Sequence, residues 1–303
     1  MKNKAIITTA AGAILTVLIF IGCNEISASD NGTDKKPESS EKAGSETRME
    51  TSDKFSYESY ASVLSTYVNA SGMVDYKDLK ENRAQLDRFV ALMAGLDSSV
   101  YDSWSDDAKI AFWTNAYNAL TLKAIINHYP IEASLVGSVL YPDNSIRQID
   151  GVWTNPNHVV MGKKRSLDWI EHKKLRPGFN EPRIHMALVC AAMGCPPLRT
   201  EPYYGEKLDK ELDDQTRAFI KDPDKFRIDR EEGVVYLSSI FKWFGQDFKK
   251  TYGTEEFEGH SKKERAVLNF LSGYLSDEDA EYLKTGDYDI DYLDYDWSLN
   301  EQK

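Results

Sequence analysis

Cysteine is scarce in this chain: 303 residues contain three, at positions 23, 190 and 195. No Cys-x-x-Cys spacing is present, so nothing marks a zinc site by motif. Positive charge is also short, with 37 Lys and Arg against 49 Asp and Glu and a net charge of -12. That balance excludes nucleic acid as a partner, because phosphate binding needs clustered cations. It equally excludes polybasic docking on anionic lipid. No internal repeat is found, and no long apolar run follows residue 22. The acidic end, Asp287, Asp289 and Asp291, lacks what a calcium loop needs: Gly at its sixth position and Glu at its twelfth. Tyr292 and Ser298 stand there, so an edge strand with solvated Asp is the better reading. No cofactor is implied. What remains, 41% hydrophobic and 28% charged residues, is an ordinary globular balance.

The chain opens with Lys2 and Lys4, an uncharged and mostly apolar run from Ala5 to Ile21, and Gly22-Cys23. This is the layout of a secretory signal peptide. Phe20-Ile21-Gly22-Cys23 resembles a bacterial lipobox, with Phe20 where Leu is usual. The resemblance implies cleavage after residue 22 and a lipid on Cys23. The alternative is an uncleaved apolar anchor; either places the rest of the chain outside the cytoplasm, in the cell envelope, with a membrane as partner through its N-terminus. Residues 23–54 are rich in Ser, Glu, Lys, Thr, Gly and Asp and contain no aromatic residue. Such a stretch cannot bury enough apolar surface to order itself, and is expected to be a tether. Residues 55–303 are expected to form a single globular domain.

Within it, apolar spacing predicts helices over Phe55–Val68 and Asp78–Leu96. A third runs from Ser105, its N-cap, to His128, ahead of Pro130. Met73–Tyr76, Ile146–Trp153 and His158–Met161 read as short strands, the last two flanking an Asn155-Pro156-Asn157 turn. Ser166 caps a helix over Leu167–Leu175. Glu206–Lys221, Ser238–Tyr252 and Lys262–Leu275 read as helical, and Phe226–Leu237 as a hairpin. The fold class expected is α+β: mainly helical, with short antiparallel strands and hairpins.

The chemistry-bearing residues concentrate between Pro182 and Leu198, where Arg183, His185, Cys190 and Cys195 share a short apolar stretch. With Cys23 committed to lipid, two thiols remain in an oxidising compartment, and their spacing permits a disulfide if the chain turns between them. A nucleophilic thiolate is the competing reading, with His185 or His172 as base. A third is a metal site built on the same cysteines and a His. Asn115 and Asn118, three apart, share a face of the third helix. They either fix neighbouring loop backbone or act as polarising amides. Glu171 and His172 are helix neighbours that do not face each other, but either could meet the cysteine segment in space.

Several segments together resemble the DUF547 family. They are Ala111 to Leu120 (Ala-Phe-Trp-Thr-Asn-Ala-Tyr-Asn-Ala-Leu), Leu167 to Arg176, Arg183 to Pro197, and Phe241 to Phe244 followed by Asp247-Phe248. Tyr292 to Trp297 resembles that family's C-terminal end, and the resemblance spans roughly Phe55 to Leu299. It implies a site formed by Asn115, Asn118, Glu171, His172, Arg183, His185, Cys190 and Cys195, and it implies no activity. The residues favour a binding or scaffold role for a small-molecule or peptide ligand. The alternative is a thiol-dependent hydrolase or transferase, loosely similar to papain and transglutaminases, acting on an envelope substrate.

Overall fold

The computed structural model describes residues 55–133 and 137–303. The expected signal, Cys23 and the expected tether lie outside the described residues. Among those described, no helix is long and apolar enough to cross a membrane. The architecture is α+β and mainly helical, as the sequence predicts.

The first half is organised by one helix. Five helices come in order: α1 (Glu58–Tyr67), α2 (Tyr76–Glu81), α3 (Ala84–Gly95), α4 (Ser98–Asp102) and α5 (Asp106–His128). Ser105 caps α5 by accepting the Ala108 N–H, and Asp106 and Asp107 occupy its electropositive first turn. Every residue from Ile110 to Leu122 is buried. A helix covered on all sides is the spine of its domain rather than one of its faces. Trp113 sits at its centre, fully buried, and its indole N–H donates to the Tyr101 hydroxyl at 2.9 Å.

Three segments differ from the expected elements. The span expected as one helix from Asp78 to Leu96 is two, because the chain breaks at Asn82 and Arg83. Ile146–Trp153 is not a strand: Ser145 accepts the Arg147 N–H and starts a tight turn over Ile146–Gln148. Strand β1 (His158–Val160) therefore pairs with β2 (Lys163–Arg165), around Met161 and Gly162. Met73–Tyr76 contributes Val74, which bridges Val68 and Glu301, before α2 begins at Tyr76.

A second apolar cluster, built around Phe219, Phe241, Phe248 and Phe270, carries the remaining sheet. Strands β3 (Phe226–Asp229) and β4 (Val234–Ser238) form the expected hairpin. The acidic end forms β5 (Asp289–Leu293), an edge strand that pairs parallel with β4, from Val234 opposite Asp289 to Ser238 opposite Leu293. A parallel partner needs a long crossover. Here the helices Ser239–Phe244, Lys262–Ser272 and Asp277–Thr285 supply it; the last was not marked by the sequence pattern.

After β5 the tail crosses back to the first cluster. Ala192 bridges Leu299, and the N–H groups of Met193 and Gly194 donate to the carbonyls of Ser298 and Asp296. Asn300 is buried; it accepts the Tyr76 hydroxyl at 2.7 Å and donates to the Gly72 carbonyl. The final residues thus tie the cysteine segment to the start of the domain.

Candidate functional site

The cysteine segment has few backbone partners of its own, and α5 supplies them. The Asn118 amide donates to the Ala187 carbonyl at 3.0 Å and accepts the Val189 N–H at 2.9 Å. Asn115 does the same for Tyr203, at 2.8 and 2.9 Å. An amide has one acceptor and one donor end, so it can stand in for a missing strand neighbour. Each Asn does so for a buried loop, and neither lines the cleft described next.

Beyond Val189 the chain reverses. Ala191 takes a left-handed φ of 62°, costly for a residue with a Cβ and held here by its surroundings. The turn brings Cys190 and Cys195 together as a disulfide, with Cα atoms 6.2 Å apart. The bond lies in the wall of a cleft of about 400 Å³ between the two apolar clusters. Cys190 is partly exposed and Cys195 is buried. Cys195 Sγ accepts the Cys190 N–H at 2.9 Å and the Tyr295 hydroxyl at 3.0 Å; that hydroxyl also lies 3.2 Å from Cys190 Sγ. Gly194 makes room for this contact, since a Cβ there would come within 2.8 Å of the Tyr295 ring.

The opposite side comes from the helical run 167–178. Ser166 caps it by accepting the Trp169 N–H. Its middle, Ile170–Leu175, is a wider turn in which the Arg176 N–H reaches the Glu171 carbonyl, five residues back. Such wide turns recur at functional sites because they re-aim side chains. Glu171 and His172 both line the cleft. Glu171 Oε1 and His172 Nδ1 are 3.9 Å apart, beyond hydrogen-bond reach.

Arg176 connects the polar groups. Its guanidinium grips Asp247 with two bonds, Nε to Oδ2 at 2.6 Å and an Nη to Oδ1 at 3.0 Å, while another Nη lies 2.9 Å from His172 Nδ1. Guanidinium only donates, so His172 Nδ1 accepts and that ring is neutral. Asp247 Oδ2 lies 2.9 Å from His185 Nε2. Burial alone would raise the Asp247 carboxyl. The bonds from His185 and Arg176, with the guanidinium charge, hold it well below the usual carboxylate range. An ionised carboxylate only accepts, so Nε2–H donates and Nδ1 carries the lone pair. Burial pushes His185 down, and Asp247 only partly offsets this. The ring stacks on Phe244 with centroids 4.2 Å apart. Glu171 has no such support: burial raises its carboxyl to about 7, Arg176 opposes this, and Asp168 and Asp247 add to it.

Much of the rest of the cleft is aromatic, with Arg147 and Asp168 as further charged groups. Trp153, Trp243, Phe244, Tyr295 and Trp297 line it. Trp297 packs against Tyr295 at 4.6 Å and Trp243 at 6.2 Å between centroids, with Trp153 edge-on. Trp243 is 46% exposed, unusual for so large an apolar side chain.

The structure thus brings Glu171, His172, His185, Cys190 and Cys195 to one cleft. Arg183 is elsewhere: it binds Glu181, Asp209 and Asp213, and so fastens the turn Pro182–Met186 to the helix Leu208–Ile220. Among the described residues, no group of three or more His, Cys, Asp or Glu is placed to hold a metal ion. Trp153 and Trp243, which a binding role places in a core or ligand cleft, do line this one. The sequence pattern does not mark Asp247, Arg176 or Trp297 as site residues, although they lie in the segments Phe241 to Phe248, Leu167 to Arg176 and Tyr292 to Trp297 that carry the family resemblance.

Residues 101–220 match the model of the family described as a protein of unknown function, DUF547. The match supports the DUF547 family for this chain. It contains both asparagines, the helical run and the disulfide; Trp243, Asp247, Tyr295 and Trp297 lie beyond it. No curated protein and no solved structure matches the chain.

Glu171 makes stability depend on pH. The folded carboxyl keeps its proton up to about pH 7, the unfolded one only to about 4.5. Between those values the folded state binds the extra proton, so stability falls as pH rises through the window and levels off above it. The difference corresponds to about 3 kcal/mol. Glu171→Gln should abolish this slope: equal to wild type near pH 4, more stable by up to that amount at pH 8, read by urea denaturation across the range.

Proposed function

We propose that this chain is a cell-envelope lipoprotein, exported by residues 1–22, lipidated at Cys23 and presenting, on the tether 23–54, a domain that binds a ligand in its aromatic cleft. The observation that carries the binding reading is the cleft wall. Exposed Trp243 stacks on Trp297 and packs at a tilt on Tyr295, in a cleft also lined by the polar groups of Glu171, His172 and His185. An apolar face with a few convergent polar groups is the common form of a small-ligand site. Flat aromatic faces beside hydrogen-bonding groups suit a ligand that is itself flat on one side and polar at its rim, the chemistry of a saccharide ring. The lipid reading is supported by the charge and apolar layout of residues 1–23 and by the small residue before Cys23.

A second reading is favoured by the His185–Asp247 bond beside two cysteines: a thiol hydrolase or transferase with His185 as base. It needs a free thiol, whereas Cys190 and Cys195 are bonded to each other, and so ranks below binding.

Three measurements check these readings. Cells fed a labelled fatty acid should label the wild type and not Cys23→Ser; an unlabelled wild type would refute lipid anchoring. Soluble envelope glycan fragments should change tryptophan fluorescence saturably, and Trp243→Ala should weaken their binding about tenfold at a temperature where circular dichroism shows the variant folded. An unsaturable wild-type titration would overturn the saccharide reading. Under the enzyme reading, the reduced protein should be acylated by an activated ester at Cys190 or Cys195, and more slowly after His185→Ala; equal rates would remove it.

A further inference from the structure

The placement of the disulfide differs from that of a staple. A bridge that only ties loops together has no need of an open cleft, and neither sulfur needs a hydrogen-bond donor. Here one sulfur is accessible and the other is buried under two donors. We infer that Cys190–Cys195 is a redox-active disulfide that accepts two electrons from a dithiol substrate, with Cys190 as the attacked sulfur and Cys195 as the leaving group. This does not depend on what the aromatic wall receives, and it goes beyond ligand binding.

The two sulfurs are chemically unequal. Cys190 is partly exposed at the cleft, so an incoming thiolate reaches it first. Cys195 is 4% exposed. Its Sγ accepts the Cys190 N–H at 2.9 Å and the Tyr295 O–H at 3.0 Å. The Cys190 N–H is aimed at Cys195 alone, while the Tyr295 hydroxyl is shared and lies also 3.2 Å from Cys190 Sγ; both bonds strengthen at the sulfur that gains negative charge, because donors bind an anion more strongly than a neutral sulfur. A leaving thiol stabilised as its thiolate leaves faster.

The exchange balances as follows. A substrate thiolate attacks Cys190 Sγ. A bond forms between the substrate sulfur and Cys190, the Cys190–Cys195 bond breaks, and its electron pair goes to Cys195 Sγ as thiolate. The substrate's second thiolate then attacks its own sulfur in the mixed disulfide. The substrate leaves as a disulfide, and Cys190 departs with the electron pair. Each cysteine takes up one proton, matching the two the substrate thiols gave up. The substrate dithiol is oxidised by two electrons and the cysteine pair is reduced. Left-handed Ala191 and the room for Tyr295 at Gly194 hold the donors in place through both steps.

The class of substrate is set by access to the sulfur: a dithiol whose first thiolate reaches Cys190 through the cleft.

The test mixes the full-length oxidised protein with a synthetic peptide carrying two free cysteine thiols. Thiols are alkylated at timed intervals, and Cys190, Cys195 and the peptide are read by peptide mass mapping, which separates them from Cys23. One peptide disulfide should form for each Cys190–Cys195 pair reduced, while near-ultraviolet circular dichroism stays native. Tyr295→Phe should slow the exchange about tenfold by removing one donor from the leaving sulfur. With an aromatic disulfide reagent, Cys195→Ala should form a mixed disulfide at Cys190 faster than Cys190→Ala does at Cys195. Reduction no faster than global unfolding would overturn the inference. An adduct formed preferentially at Cys195 would do so too, and so would a Tyr295→Phe rate equal to wild type. Saccharide binding is read separately, so failure here leaves that reading standing.

Discussion

The cysteine segment depends on the side-chain amide of Asn118. A buried, irregular stretch of backbone is unstable unless its N–H and C=O groups are paired. Between Ala187 and Val189 that pairing comes from one amide on α5, which donates at one end and accepts at the other. Because α5 is buried from Ile110 to Leu122, the amide is packed into the core and ties the loop to it. The turn at Ala191, the meeting of the two sulfurs and the seat of Tyr295 all lie downstream of this anchor. Asn115 provides the same for Tyr203. Two polar residues in an apolar helix thus do for loops what a neighbouring strand does in a sheet.

The electrostatics of the cleft have a comparable centre in Arg176. Burial pushes both imidazoles toward the neutral form, and Arg176 orients them: with His185 it holds Asp247 ionised, so that the carboxylate accepts the His185 Nε2 proton, and it directs a donor at His172 Nδ1. Glu171, packed nearby without a comparable partner, keeps its proton to about pH 7. The site therefore holds two carboxylates in opposite states, separated by which one the arginine reaches.

Much of the architecture was legible in the sequence because the signals are local. Ser105 and Ser166 cap the helices expected of them, and the Phe226–Leu237 hairpin folds around its turn. Two of the differences are local in origin as well. Ile146–Trp153 has strand composition, but Ser145 starts a turn and β1 pairs with the segment after it. The break at Asn82 and Arg83 is hidden inside a continuous apolar period. The parallel pairing of β5 joins residues more than fifty positions apart, and no periodicity reports such a partner.

The sequence by itself determined the residue types of the site: two thiols left after Cys23, two histidines, an adjacent acid and two asparagines in a helix. Composition and short-range spacing suffice for that, since each is written within a few residues. Only the tertiary structure decided their roles. It sent Asn115 and Asn118 to loop backbone and Arg183 to an acidic cluster on another face. It also added Asp247, Tyr295 and Trp243 from distant parts of the chain. The reason is geometric. A side chain's partners are set by which elements pack together, and here the tail after β5 and the helix after β4 close the cleft from the far end of the sequence.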